Sequence, residues 1–227
     1  TVNLRSVLEK LADSPFAAEA RELATQEHIR PSRGRTQTTD HPPIYPVAGA
    51  TREKVKREDH WRIYELVVRR FFATVAPNAL VLTSDARIDL AGQVFKAQGY
   101  TLKSLGWRKY YPYWQVREVF LPRLDPQERV DRVGPVEVRE DRTKPPARYS
   151  EASLVKKLEV NGIGRPSTYA AILSVIQNRE YVQKQQGRFY PTELGMVVCD
   201  MLVKNFSDIF DVAYTARMEE ELDEVEE

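Results

Sequence analysis

The sequence predicts an α+β chain, mostly α, in which helical regions flank a small β-rich unit and the C-terminal part is winged-helix-like. Three observations predict it. Apolar residues recur at helical spacing over 57–75 and again after Ser150. Between these stretches, residues 79–134 hold short β-prone runs punctuated by Gly92, Gly99, Gly106, Pro112 and Pro122. Beyond Ser150 the order is helix, tight glycine turn, helix, hairpin, helix, which is the pattern of a winged helix-turn-helix.

In chain order, residues 2–12 read as a helix with Leu4, Leu8 and Leu11 on one face, broken by Asp13-Ser14-Pro15, and 16–26 read as a second helix. Residues 30–50 are loop; the paired prolines of HPPIYP give an extended, stiff backbone, and a loop of that length in a compact domain is usually functional or disordered. Trp61, Tyr64, Val68 and Phe71 stripe a helix over 57–75 whose other side carries Arg57, Glu58, Arg62, Glu65, Arg69 and Arg70, so its aromatic residues are read as core. The runs ALVLTSDARIDL, QVFKAQGYTLKSLGW, VREVFLPRL and RVDRVGPVEV are read as β, and DRTKPPAR (141–148) as a basic, proline-stiffened linker. Ser150 is placed to cap a helix over 151–160. A helix over 167–178 follows NGIGRP, then the short strands YVQ and RFY, a helix striped by Leu194, Val197, Val198, Met201 and Leu202, and a last helix over 216–227.

Composition narrows the class. The 227 residues are 42% hydrophobic and 30% charged, and no apolar run approaches the ~20 residues that span a bilayer. The N-terminal stretch lacks a basic region followed by a hydrophobic core, and the one cysteine, Cys199, excludes an internal disulfide; a reducing cytoplasm fits. The net charge of +1 is unevenly spread: residues 210–227 hold eight acids and one base, a net of −7, which leaves +8 on residues 1–209. A basic body suits an anionic partner such as nucleic acid, although freely varying solvated charges give the same count.

GIGRPSTYA (162–170) is the sharpest chemical signal. Gly162 and Gly164 permit backbone angles other residues resist, and a helix N-terminus offers unpaired N–H groups to an anion. Arg165 adds a planar charged fork, and Ser167 and Thr168 add hydroxyl donors, so together they make a phosphate cradle. The competing reading, in which Ser167 only caps its helix and Arg165 is solvated, stays open. Arg179, at the far end of the same helix, suits either a helix C-terminus or a DNA contact. The three histidines, His28, His41 and His60, lack metal-site spacing. His41, between Asp40 and two prolines, suits phosphate donation or proton transfer, but a lone loop histidine is commonly structural or exposed. EEELDEVEE is read as a solvated helix face rather than a metal site.

The stretch TKPPARYSEASLVKKLEVNGIGRPSTYAAILSVIQNREYV (143–182) is very similar to a signature of type IA DNA topoisomerases, and GRFYPTELG (187–195) and YTARMEEELDEVEE (214–227) continue the likeness in order. RGRTQTTDHPPIYP (33–46) resembles the archaeal-type form of the loop that carries that family's active-site histidine. The resemblance implies a piece of a four-domain torus. Residues 1–76 would be the latter part of the nucleophile-bearing helical domain, 77–138 a segment of the β-rich arch, and 139–227 the helical, winged-helix-like domain that grips single-stranded DNA. It also implies a reaction in which a tyrosine attacks a DNA phosphodiester, leaves a 5′-phosphotyrosine link, lets a strand pass and then reseals it without ATP.

The chain departs from the family pattern in two ways. None of its 11 tyrosines is followed by x-Arg-Thr, the form of the family's nucleophile motif, and no acidic magnesium-binding domain is seen. The resemblance therefore implies a fragment, inactive alone, whose parent needs Mg²⁺ held by ligands outside this chain. Carried residue by residue, it implies His41 as an active-site group, Arg165, Ser167 and Thr168 as contacts to DNA phosphates, and Arg179 as a contact to the single strand; Tyr169 is kept as core. His28, in EHIRPS, is the rival to His41, and Tyr45 stands where many bacterial members have arginine. The implied partners are single-stranded or underwound DNA and the rest of the topoisomerase chain, with no membrane, in the cytoplasm at the nucleoid. A non-catalytic winged-helix module for DNA or protein binding is the alternative.

Overall fold

In a computed structural model, which describes residues 2–34 and 43–226, Asn3 caps the first helix by accepting a hydrogen bond from Ser6 N–H at 3.1 Å. That helix, α1 (Leu4–Lys10), tightens into a 3-10 turn (Leu11–Asp13) before Ser14, whose hydroxyl donates to Leu11 O and accepts from Phe16 N–H. The chain then turns into α2 (Ala17–Ala24). Arg5 donates to the carbonyls of Ala24 and Gln26, which supplies a cation to the carbonyl end of α2. The long helix α3 (Glu58–Val75) lays Trp61, Val68, Phe71, Phe72 and Val75 against Val7, Leu8, Leu11, Phe16, Ala20 and Leu23, so the stripe read from its spacing is the core.

The chain divides into two compact units, Thr1–Val133 and Gly134–Glu227, so the helical segment and the β-prone middle share the first unit. Two of the four β-prone runs form strands. β1 (Leu80–Leu90) and β2 (Gln93–Ser104) make an antiparallel hairpin around Ala91 and Gly92, both at positive φ. VREVFLPRL contributes only a bridge between Val119 and Tyr100, and RVDRVGPVEV forms no strand. The physical reason lies in the residues: Pro122, Pro126 and Pro135 supply no ladder N–H, and among the described residues the sheet has two strands only. Gly99 lets the 119–121 segment approach, since a methyl there would meet Leu121 Cγ at 3.0 Å. After β2, a 3-10 turn (Gly106–Lys109) delivers Tyr110 into the core, 6.2 Å from Phe72 in an edge-on contact; burial pushes its phenol up to about 12, and the Glu22 and Glu19 carboxylates add to the shift.

An isolated two-stranded hairpin is marginal, and amides in sparsely buried segments open easily. Only Gly99 is buried among the residues of β1 and β2, and 120–134 carries no regular ladder. Hydrogen exchange is therefore expected to be faster over 79–134 than over 150–205. Equal or stronger protection in the middle stretch would contradict this account.

In the second unit, α4 (Glu151–Val160) is followed by α5 (Tyr169–Asn178), the hairpin β3 (Val182–Gln185) and β4 (Arg188–Pro191), α6 (Glu193–Asn205) and α7 (Val212–Glu226). Ser150 caps α4 as read from the sequence, with Ser153 returning a bond to its N–H at 2.8 Å. Asp211 starts α7, its carboxylate accepting from the N–H groups of Ala213 and Tyr214. The α6 stripe divides: Val198 and Leu202 are half-buried, while Leu194, Val197 and Met201 are exposed.

Candidate nucleic-acid interface

The GIGRPST segment is a turn made by its glycines. At the end of α4, Asn161 donates from its side chain to Lys157 O, Gly162 enters the left-handed region at φ +68, and Ile163 N–H returns to Leu158 O at 3.0 Å. Gly164 is also left-handed, at φ +73, and a side chain there would press on Ile172 Cδ1 and Thr168 Oγ1, each 3.1 Å from a Cβ. Arg165 and Thr168 then lock the turn to themselves: Arg165 N–H donates to Thr168 Oγ1 at 2.8 Å, and Thr168 N–H donates to Arg165 O at 2.9 Å. The helix begins at Tyr169, two residues later than the spacing suggested, because Pro166, Ser167 and Thr168 are spent in this turn. Tyr169, Ile172, Leu173 and Ile176 are half-buried.

The four residues expected at DNA sit differently. Ser167 is exposed and its hydroxyl makes no hydrogen bond among the described residues, so it is neither core nor cap. Thr168 is exposed, but its hydroxyl is engaged by Arg165 N–H. Arg179 is exposed at the C-terminal end of α5, and its guanidinium meets no acid among the described residues. Arg165 is half-buried and held by the last helix, where Nη2 donates to Asp223 Oδ2 at 2.6 Å and to Glu219 O at 2.8 Å. Nη1 lies 3.4 Å from Glu219 Oε2, and Glu219 also accepts from Gly164 N–H at 2.9 Å. The Asp223 hydrogen bond leads, with Glu219 adding, in pushing the guanidinium above its usual pKa. The reading of the acidic tail as a purely solvated face is thereby corrected. Glu219 and Asp223 stand four residues apart, on one face of α7, and that spacing is the signal by which the sequence could have marked them as a pair.

The surroundings are basic. Residues 141–190 hold nine bases (Arg142, Lys144, Arg148, Lys156, Lys157, Arg165, Arg179, Lys184, Arg188) and four acids (Asp141, Glu151, Glu159, Glu180), an excess of +5. Lys156 pairs with Glu159 and Lys184 with Glu151, while Arg148 stacks 4.6 Å over the Tyr190 ring. A cleft of about 460 Å³ opens between the linker and the hairpin, lined by Pro146, Tyr149, Leu154, Ile176 and Phe189 among others.

His41 lies outside the described residues, so its position is not part of this geometry. The ground on either side of it is fixed to α3. Ser32 N–H donates to Thr74 O at 2.8 Å, and Tyr64 Oη donates to Ala48 O and accepts from Ala50 N–H, both at 2.9 Å. Tyr45 packs on the core of the first unit. The rival, His28, is exposed just beyond α2, with Nε2 3.7 Å from the Glu27 carboxylate. Among the described residues, no three of His, Cys, Asp and Glu converge where they would hold a metal, and no helix is long and apolar enough to cross a membrane.

Comparison with known proteins bears on the whole chain. The family model described as DNA topoisomerase matches residues 1–227. DNA topoisomerase 1 of Archaeoglobus fulgidus is 39% identical over 227 residues, covering 100% of this chain and 34% of that protein. DNA topoisomerase 1 of Thermoplasma acidophilum is 36% identical over 226 residues, 100% of this chain and 29% of its own. The structure of full-length topoisomerase I from Thermotoga maritima superposes with a TM-score of 0.67 at 37% identity, covering 77% of this chain and 30% of that one. The chain thus spans about a third or less of the length of these relatives.

Proposed function

Because the chain belongs to the type IA DNA topoisomerase family, we propose that it is the part of such an enzyme that grips single-stranded DNA and brings His41 to the active site. The parent protein, on this reading, cleaves one strand by tyrosine attack on a phosphodiester, holds the 5′ end as a phosphotyrosine, passes a strand and reseals. The covalent link conserves the bond energy, so no ATP enters the chemistry. Arg165, Ser167 and Thr168 contact backbone phosphates, and Arg179 contacts the same strand beyond them. Among the described residues no three of His, Cys, Asp and Glu converge as a metal site, and the parent's magnesium would, on this reading, be held by acids outside this chain. The protein would work in the cytoplasm, at the nucleoid.

The observation that carries this reading is the GIGRPST turn itself. Two left-handed glycines present a free Ser167 hydroxyl and a half-exposed Arg165 from one rigid bend, within a stretch of +5 net charge. The match over residues 1–227 favours the topoisomerase reading over a free-standing winged-helix module.

Fluorescence anisotropy with a labelled single-stranded oligonucleotide tests it. Affinity is expected to fall with salt by roughly 0.7 in log–log slope per phosphate neutralised. Arg165→Ala is expected to cost on the order of 1.5–3 kcal/mol, alike for all sequences, because phosphate contacts carry no base information. Parent-like binding by Arg165→Ala across the salt series would end the phosphate reading of the turn.

A further inference from the structure

The two carboxylates that hold Arg165 are not equivalent. Glu219 is the inner one, its side chain 20% exposed; it takes the Gly164 N–H and lies beside Nη1. Asp223 is the outer one, 60% exposed, and holds Nη2 alone among side chains at 2.6 Å. A carboxylate and a phosphate present the same feature to a guanidinium, namely paired anionic oxygens that accept N–H donors. Resting on the DNA-gripping role proposed above, we infer that Asp223 occupies the place of a DNA phosphate on Arg165 and is exchanged for it on binding, while Glu219 stays and positions the guanidinium.

The energetics favour exchange at the outer group only. Asp223 is largely solvated, and an exposed ion pair is worth little, so giving it up costs little. Displacing Glu219 would leave a half-buried carboxylate and the Gly164 N–H without partners, which costs much more. A strand arriving at Arg165 meets the Asp223 charge first, and that charge repels it until the guanidinium turns from one anion to the other. The acidic helix would thus weaken resting affinity without blocking the turn, a property suited to an enzyme that must let its strand go.

The test is a double-mutant cycle on the 227-residue chain, with a labelled oligothymidylate as probe and circular dichroism to confirm folding. Asp223→Asn keeps the shape and removes the charge. Glu224→Gln removes the same charge from the neighbouring exposed position, which makes no ion pair among the described residues. Asp223→Asn is expected to tighten binding roughly threefold to fivefold, clearly more than Glu224→Gln, and the gain is expected to vanish in the Arg165→Ala background. A gain no larger than that of Glu224→Gln, a loss of affinity, or a gain that persists without Arg165 would overturn the exchange. If Arg165→Ala alone binds as well as the parent, the DNA-gripping reading of the turn has failed; if it binds weakly while Asp223→Asn matches Glu224→Gln, only the exchange has failed.

Discussion

Gly195→Ala is expected to destabilise the second unit by about 3–5 kcal/mol, against the sign that helix propensity alone would give. Gly195 lies in the first turn of α6, where alanine is ordinarily favoured over glycine by about 1 kcal/mol. Its surroundings reverse the sign. A methyl at this position would fall well inside contact distance of the Tyr181 carbonyl and backbone, neither of which is the end of a flexible side chain. That carbonyl is fixed in turn: it accepts from Thr192 N–H at 3.0 Å, and the Thr192 hydroxyl donates to Glu180 O at 2.6 Å while accepting from Gly195 N–H at 3.0 Å. Moving α6 outward to admit the methyl loses the Thr192 cap, typically about 1 kcal/mol, and about 1 kcal/mol for each further bond, with overpacking of roughly 1–3 kcal/mol where it does not move. Hydrogen exchange over 181–205 reads the effect. Gly187→Ala is the comparison: unlike Gly195 it has a positive φ, +74, and no atom lies within 4 Å of its missing side chain, so only backbone strain of about 1–2 kcal/mol is expected. A Gly195→Ala protein as well protected as the parent would show that the hairpin and α6 are not pinned through Tyr181.

This pin was not legible in PTELG, because it depends on a carbonyl that the hairpin carries back from position 181. What the sequence made plain was local. The spacing of Trp61, Val68 and Phe71 gave the buried face of α3, Ser150 gave a cap, and Gly187 gave the turn between β3 and β4. Alternation and β-branched residues also suggested strands over VREVFLPRL and RVDRVGPVEV, but a strand needs a neighbour with free N–H and C=O groups, and composition carries no record of that neighbour. The same limit governed the site. GIGRPST announced itself through residue types, whereas its carboxylate partners are 54 and 58 residues downstream, in a tail whose charge density hid the one register that matters. Arg165 lies outside the apolar stripe of α5, yet it ties α7 to the turn, so its replacement touches the docking of the last helix as well as any phosphate.

Phe72→Ala is expected to cost the first unit about 3–5 kcal/mol. Phe72 is 0% exposed and is the largest fully buried side chain of the described residues. Its ring stands edge-on to Phe16 at 6.4 Å and to Tyr110 at 6.2 Å, and tilted to Phe71 at 6.3 Å. It therefore joins the turn before α2, α3 itself and the segment after β2. None of these can collapse into the space left without dragging its own backbone, so the cavity term should persist in full. The measurement is direct because all three tryptophans, Trp61, Trp107 and Trp114, lie within the first unit, and Trp61 is itself in the core. With a urea dependence of roughly 1–3 kcal/mol per molar, the fluorescence midpoint is expected to fall by more than about 1 M with little change of slope. Leu66→Ala, on the exposed side of the same helix, is expected to move it by no more than about 0.5 kcal/mol. If the two variants shift the midpoint equally, the stability of the unit does not rest on the buried face of α3, and the aromatic contacts around Phe72 are packing without consequence.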